Sequence, residues 1–386
     1  MSPLTISADE PASVNAPDFT ALRREFPTLE RWTYLDIGRK APMPLCAEAA
    51  AREFFEDIYV NAGERAFSME AIDETRAALA ELLGVQAGEL AFVKNTSEGI
   101  NIAVQALPLG TSDNVVTTAF EHEAQTFPLQ VLAERAGTEI RVVPSEAGRM
   151  SVASILARMD DRTRLCAVSH VAFGNGFRVD LEALAEECRK RDVLLLSDVI
   201  QSVGILSTPV SRLADIAVAG CHKGLLGVNG TAFLYCGSRA LDRMRPSLVG
   251  KHSVLSDRLA SAPLRFRRDA RRFEYGNPNF LGIAILAASV RLLRSVGLPA
   301  IEARVSELAT TLIANARDRG VSVRTPETEI ERAGIVSFAT SDTESARARL
   351  AAARIVANLK DGNIRASIGF YNTPEDLDRF LDAMVG

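Results

Sequence analysis

Ser197-Asp-Val-Ile-Gln-Ser-Val-Gly204, followed by Ala219-Gly-Cys-His-Lys-Gly224, is the stretch on which the reading of this 386-residue chain turns. The run Val193-Leu-Leu-Leu196 just before it is unbroken and apolar, the pattern of a strand covered on both faces of a parallel sheet. Such a strand delivers Asp198 to its carboxyl end, where open α/β sheets bind their ligands. A second apolar strand, Ile216 to Ala219, ends just before His222-Lys223 and a glycine-rich turn.

The same alternation extends in both directions. Helical patterns at 43–58, 69–83, 97–107, 121–136 and 180–191 alternate with apolar runs at 90–93, 114–118, 139–143, 164–169, 193–197, 215–219 and 231–236. Seven such runs predict a mostly parallel seven-stranded α/β sheet flanked by helices. Beyond it lie helical patterns at 280–296 and 299–319, a strand at 335–338, a helix at 343–353, a strand at 363–367 and a helix at 374–384. This tail reads as a smaller α+β domain. The expected division is a flexible arm at 1–18, a large domain at 19–265 and a small domain at 266–386, with an N-terminal segment able to pack on the small domain.

An acid that can pair with a pyridinium nitrogen, set near a lysine that can form a Schiff base, is what pyridoxal 5'-phosphate requires of its protein. Asp198 and Lys223 are the candidates. The null alternatives are a helix-capping aspartate and a surface lysine in a turn. Asp198-x-x-Gln201, then His222-Lys223, then Gly227-x-x-Gly230-x-x-Phe233-Leu-Tyr235 resembles the cofactor signature of class V aminotransferases. These belong to the fold type I group that includes cysteine desulfurases and isopenicillin N epimerase-like enzymes, and the resemblance runs from about Phe26 to the C-terminus.

The resemblance implies pyridoxal phosphate as cofactor, with Lys223 as the Schiff-base lysine, Asp198 on the ring nitrogen and Gln201 on the phenolic oxygen. It implies phosphate contacts from Thr96, Ser97 and His222, and His122 stacked on the cofactor face. Read from the residues alone, Asn95-Thr-Ser-Glu-Gly99 is also a capping box and His122 also a helix-start residue. Arg365, in Asn363-Ile-Arg-Ala-Ser367, matches the arginine that grips the substrate carboxylate, a task suited to a planar guanidinium fork. Arg272-Phe-Glu-Tyr-Gly-Asn277 resembles the segment that crosses to a second subunit's phosphate, which implies a homodimer with shared active sites and Asn277 as a cofactor contact. The implied activity proceeds at the α-carbon of an amino acid through an external aldimine and a quinonoid.

Two departures shape that expectation. Residues 351–364 contain no cysteine, whereas desulfurases carry a nucleophilic thiolate before the carboxylate-binding arginine. Phe173, in His170-Val-Ala-Phe-Gly-Asn-Gly176, resembles the epimerase-like branch. Aminotransferase or carbon–sulfur β-lyase activity on a cysteine conjugate is therefore expected, with epimerisation the alternative and a non-catalytic cofactor-binding module the reading from another class. Lys360 falls where the epimerase-like branch often has an arginine. Arg39 or Lys40, where relatives have small residues, either lines the pocket and favours an acidic or bulky polar substrate or belongs to a solvated turn.

Composition narrows the remaining classes. The net charge of −5 and scattered basic residues, apart from Arg265 to Arg272, argue against a nucleic-acid partner. That basic run reads as solvated or interface-facing. No basic and apolar leader opens the sequence and no apolar run approaches membrane-span length, so a cytoplasmic protein without a membrane partner is expected. Five cysteines without close spacing and four histidines predict reduced thiols and no metal site.

Overall fold

The structure, a computed structural model, describes residues 16–255, 263–340, 342–360 and 362–385. Residues 1–15 of the expected arm lie outside the described residues. Asp18 already belongs to the folded chain, since its carboxylate accepts hydrogen bonds from the N–H groups of Thr20 and Ala21 and caps the helix Phe19–Arg23.

After a short strand β1 (Thr33–Tyr34) come the seven strands of the main sheet: β2 (Leu90–Val93), β3 (Asn114–Thr118), β4 (Glu139–Val143), β5 (Thr163–Ala167), β6 (Leu194–Asp198), β7 (Ile216–Gly220) and β8 (Ala232–Cys236). Their order is β2-β8-β7-β6-β5-β3-β4. Pairings from β7 across to β4 are parallel, whereas β8 runs antiparallel to both β2 and β7. Every strand but β8 therefore points the same way, and five of them open onto one edge of the sheet close to the chain's polar motifs. All residues of β2, β3, β6, β7 and β8 are buried, as continuous apolar runs between two helical layers must be. The strands expected at 164–169, 193–197 and 215–219 sit within two residues of those predicted.

The C-terminal part holds β9 (Ile335–Ala339), β10 (Ile355–Val356), β11 (Asn358–Lys360) and β12 (Asn363–Ser367). β11, β12 and β9 form an antiparallel sheet, with the helices Leu298–Asp318, Thr343–Ala352 and Pro374–Val385 nearby. Neither β10 nor β11 is predicted from sequence, because two and three residues are too short to show a period. β1 pairs in parallel with β10, Thr33 against Ile355 and Tyr34 against Val356. An ion pair of 2.7 Å from Arg23 to the buried Asp376 and a bond from Asn372 Nδ2 to the Tyr34 carbonyl hold the N-terminal segment there. The helix Phe280–Val296 instead packs against Leu45–Val60 and Met69–Leu83.

The basic run differs in part from the solvated segment expected. Arg272 is buried, its Nη2 donating to the Leu241 carbonyl at 2.6 Å and its guanidinium lying 5.5 Å from the Phe273 ring centre. Its long stem packs while its head finds a carbonyl. No single helix among the described residues is long and apolar enough to cross a membrane.

The turns that follow β6 and β7 touch backbone to backbone. A Cβ on Gly204, whose φ is +78°, would stand 2.2 Å from the Gly224 carbonyl oxygen, and one on Gly224 would stand 2.3 Å from that of Val203. These glycines let the turn carrying Gln201 approach the turn carrying Lys223. Gly204→Ala is expected to cost about 2 kcal/mol or more, combining left-handed backbone strain with a clash. A thermal or denaturant midpoint unchanged from the parent protein would refute that close packing.

Candidate active site

The strand ends converge on a cavity of about 520 Å³. β2 supplies Asn95, Thr96 and Ser97, β3 leads to His122, β6 to Asp198 and Gln201, β7 to His222 and Lys223, and β12 carries Arg365. Eight of the nine residues singled out from sequence line this one space. Asn277 does not. It lines a separate cavity of about 440 Å³ with Lys94, Glu98, His252 and Tyr275, and its Oδ1 lies 3.3 Å from His252 Nε2. Around the turn after β2, Lys94 and Glu98 border one cavity while Asn95, Thr96 and Ser97 border the other.

At the head of the helix Thr96–Ala106, Asn95 Oδ1 accepts from the Glu98 N–H at 2.8 Å, and Glu98 Oε2 accepts from the Lys94 N–H at 2.5 Å. The capping reading therefore holds for these residues. It leaves the backbone N–H groups of Thr96 and Ser97 with no acceptor among the described residues. Thr96 Oγ1 accepts from the Gly220 N–H at 2.9 Å, which ties this helix end to β7 and leaves the hydroxyl proton free to donate. Two amides, two hydroxyls and a positive helix end fit a phosphate.

Asp198 is buried, and its Oδ1 accepts from the Ile200 N–H at 2.9 Å. Burial raises its carboxyl above the ordinary range, while the Ile200 N–H and the nearby Lys223 and His122 hold it down. Gln201 Nε2 donates to the Gly38 carbonyl at 2.9 Å. His122 is half-exposed, with Nδ1 accepting from the Ala124 N–H at 3.1 Å and its ring edge-on to Phe173, centres 5.2 Å apart. It is both a helix cap and part of the cavity wall.

Lys223 is the electrostatic centre. Burial pushes its amine down to about 8, opposed by the charges of Asp198 and Asp36 and assisted by Arg365. Burial, with Lys223 beside it, pushes His222 down to about 4, so that ring is neutral near pH 7. Arg365 is buried; its Nη1 donates to the Phe173 carbonyl at 2.6 Å, and its Nη2 lies 3.7 Å from Asp36 Oδ1. Its Nε has no partner among the described residues. Burial raises Asp36 to about 6 despite the cations of Arg365, Arg39 and Lys223.

Several contributors escape sequence reasoning. Asp36 is singled out by no motif and is placed by its bridge to Ser367. Asn358 and Asn363 lie in the stretch that leads to Arg365 but are not themselves singled out, and the pairing of β11 and β12 sets Asn358 opposite Arg365. Arg39 lines the cavity, whereas Lys40 does not; the Lys360 side chain lies outside the described structure. Glu121 is buried, bonded by the Thr118 hydroxyl and by the N–H and hydroxyl of Ser169, and burial pushes it up to about 7. Its signal was the Glu121-His122 pair after a strand, of which only the histidine was singled out.

The family model for aminotransferase class-V matches residues 33–380. A probable cysteine desulfurase of Methanothermobacter thermautotrophicus is 29% identical, the match covering 92% of this chain and 94% of that protein. An uncharacterized aminotransferase, YcbU, of Bacillus subtilis is 25% identical, covering 94% and 96%. Among solved structures, the apo cysteine desulfurase of Thermococcus onnurineus NA1 superposes with a TM-score of 0.86 at 24% identity, covering 97% of this chain and 98% of that one. The cystine C–S lyase C-DES, in complex with cysteine persulfide, superposes with a TM-score of 0.85 at 24% identity, covering 93% and 99%.

In cofactor-free protein the Lys223 amine is expected to titrate near pH 8, protonated below and neutral above, instead of above pH 10 like an exposed lysine. Asp198→Asn removes a charge that favours the ammonium form and should move the midpoint lower still. NMR of reductively methylated protein, with Lys223→Ala identifying the resonance, measures both. A midpoint at 10 or above would contradict the burial of this amine.

Proposed function

The chain belongs to the aminotransferase class-V family of pyridoxal-phosphate enzymes, and from that premise we propose that it breaks a bond at the α-carbon of an amino acid, by transamination or by β-elimination across a carbon–sulfur bond. The observation that carries this is the gathering of Lys223, Asp198 and Arg365 on one cavity. The residues fit the cofactor: the amides and hydroxyls of Thr96 and Ser97, with His222, for the phosphate; Asp198 for the ring nitrogen; Gln201 for the phenolic oxygen; His122 for a ring face; and Lys223 for the aldehyde. When bound, pyridoxal phosphate supplies an electron-withdrawing ring that weakens the bonds at the α-carbon of the amino acid it carries.

The protein's own part is positioning and proton transfer. Arg365, its fork oriented by the Phe173 carbonyl, takes the substrate carboxylate. The amine of Lys223, titrating near 8, can accept the α-proton and return it at physiological pH, where a base is most effective when its pKa is close to the working pH. Asp198, kept from water, would pair with the ring nitrogen and favour its protonated form. A module that only bound the cofactor would not need a buried arginine aimed at a second carboxylate site.

The relatives named cysteine desulfurases would suggest sulfur transfer. Among the described residues no cysteine lines the cavity, four of the five thiols are buried, and burial pushes Cys221, next to His222, far above the ordinary thiol range. A reaction that needs no sulfur-accepting thiolate is therefore favoured. Epimerisation would need a second base on the other face of the α-carbon, and His122, which also lines this cavity, is proposed for the cofactor face instead.

We also propose a homodimer. Asn277 and Tyr275 line a cavity separate from the chain's own site, as a segment serving a partner's phosphate would. Exposed Phe55, Tyr59, Val60 and Phe67 offer an apolar surface of the kind oligomers bury. Residues 19–265 and 266–386 are proposed as the two domains, the helix Phe280–Val296 of the second packing against Leu45–Val60 and Met69–Leu83 of the first, and the cytoplasm as the location.

The protein loaded with pyridoxal phosphate, mixed with amino acids and S-substituted cysteines, is expected to yield either an oxo acid with the cofactor in its amine form, or pyruvate, ammonia and a free thiol. Product analysis with none of these from any amino acid would reject the reading. Arg365→Ala should raise the amino-acid concentration for half-saturation by about 10- to 100-fold, the worth of a charge-assisted bond. Retained affinity in that variant would remove Arg365 from the substrate site.

A further inference from the structure

Assigning the α-carboxylate to Arg365 leaves a second guanidinium on the same cavity unassigned. Arg39 lines the cavity, and its side chain is exposed. Among the described residues its guanidinium makes no hydrogen bond or ion pair. Its backbone, by contrast, is firmly held. The N–H groups of Arg39 and Lys40 donate to the Asp36 carbonyl at 3.0 and 3.1 Å, and the Ala41 N–H donates to the His222 carbonyl at 2.8 Å. Tyr34 Oη donates to the Lys40 carbonyl at 2.9 Å, and Gln201 Nε2 to that of Gly38. A Cβ on Gly38 would stand 2.5 Å from Ser367 Oγ, so this turn is pressed onto the end of β12. An exposed, unpaired cation therefore stands on a fixed base at the cavity.

Asp36 interacts with both arginines. It lies 3.7 Å from Arg365 Nη2, and the charges of both Arg365 and Arg39 hold its carboxyl down against burial. The Phe173 carbonyl and Asp36 are committed to Arg365; the described residues provide no such acceptor for Arg39. The wall also contains Asn358 and Asn363 from the β11–β12 hairpin, the first standing opposite Arg365 in the strand register. Side-chain amides donate as well as accept, so this wall pairs a cation with neutral donors.

We infer that Arg39, with Asn358 and Asn363, forms the subsite for a substrate side chain ending in a second anionic oxygen group, a carboxylate or a sulfinate. The inference rests on the amino-acid reading above. An amino acid has one α-carboxylate, which Arg365 takes. A neutral side chain leaves Arg39 in water and gains nothing from it, whereas an acidic one meets a planar fork that matches two oxygens at once. Because Arg39 is exposed, solvent weakens the gain, and the preference is tens of times instead of thousands.

The experiment titrates the cofactor-loaded protein with L-alanine, L-aspartate, L-glutamate and L-cysteine sulfinate while following the visible spectrum. Half-saturation by at least one acidic amino acid is expected at a concentration about tenfold or more below that for alanine. The aspartate, glutamate and sulfinate arms identify which acid and which reach the subsite takes. In Arg39→Gln the ratio of alanine to acid half-saturation should fall to about one, and in Arg39→Lys, which keeps the charge and loses the fork, it should fall only in part. The readout is a ratio between ligands on one variant, so a general loss of affinity cancels. Equal half-saturation in the parent protein, or an unchanged ratio in Arg39→Gln, would overturn the inference and leave the amino-acid reading intact. A spectrum that no amino acid perturbs removes that reading and the inference together.

Discussion

The structure depends on keeping the Lys223 amine out of water without leaving its charge uncompensated. Transfer of an ammonium from water is costly unless it deprotonates or finds counter-charges. This chain uses both routes. Burial brings the amine to about 8, while Asp198 and Asp36 prevent it from falling further. The same balance governs the neighbours. Asp198 and Asp36 are raised by burial and restrained by cations, and Arg365 is lowered by burial and restrained by Asp36. Lys223 links Asp198 to the Asp36–Arg365 pair, so these groups act as one connected electrostatic unit.

That unit is assembled from distant parts of the chain, and sheet geometry does the assembly. Parallel strands β6 and β7 bring Asp198 and Lys223 to one edge. Asp36 and Arg365 come from opposite ends of the sequence, joined because β1 pairs with β10 and Asp36 bridges Ser367. Backbone hydrogen bonds outside the main sheet thus fix the distance between a carboxylate and a guanidinium inside the cavity. A shift of one residue in the β11–β12 register, with β12 held by β9, would turn Asn358 to the face opposite Arg365 and dismantle that wall of the site.

This explains which features are legible in the sequence. The strands of the main sheet are continuous apolar runs bounded by polar turns, and their signal is local. Lys223, Asp198 and Gln201 are legible because their spacing along two consecutive strand-turn units is local too. Asp36 is not legible as the partner of Arg365, because nothing in either neighbourhood encodes contact across more than three hundred residues. Asn358 belongs to a three-residue strand whose only evidence is its partner. Arg272 shows the opposite case: its charge suggested solvent, and a single carbonyl and an aromatic ring made burial feasible.

The junction of β1 and β12 beside the cavity also carries costs that a protein selected for stability alone would remove. Arg365 Nε, Asp36 Oδ1, Ser367 Oγ and the Tyr371 hydroxyl are buried without a hydrogen-bond partner among the described residues. Each such group costs about 1–3 kcal/mol. All four belong to the segments that join β1 to β12, the substrate side of the site, while the aromatic cluster of Phe26, Phe370 and Tyr371 packs directly behind, with ring centres 4.7 to 5.8 Å apart. A rigid apolar backing keeps unsatisfied polar atoms from relaxing toward one another. Their donors and acceptors are held in fixed directions before any ligand arrives, which is what preorganised electrostatics at a reacting carbon requires.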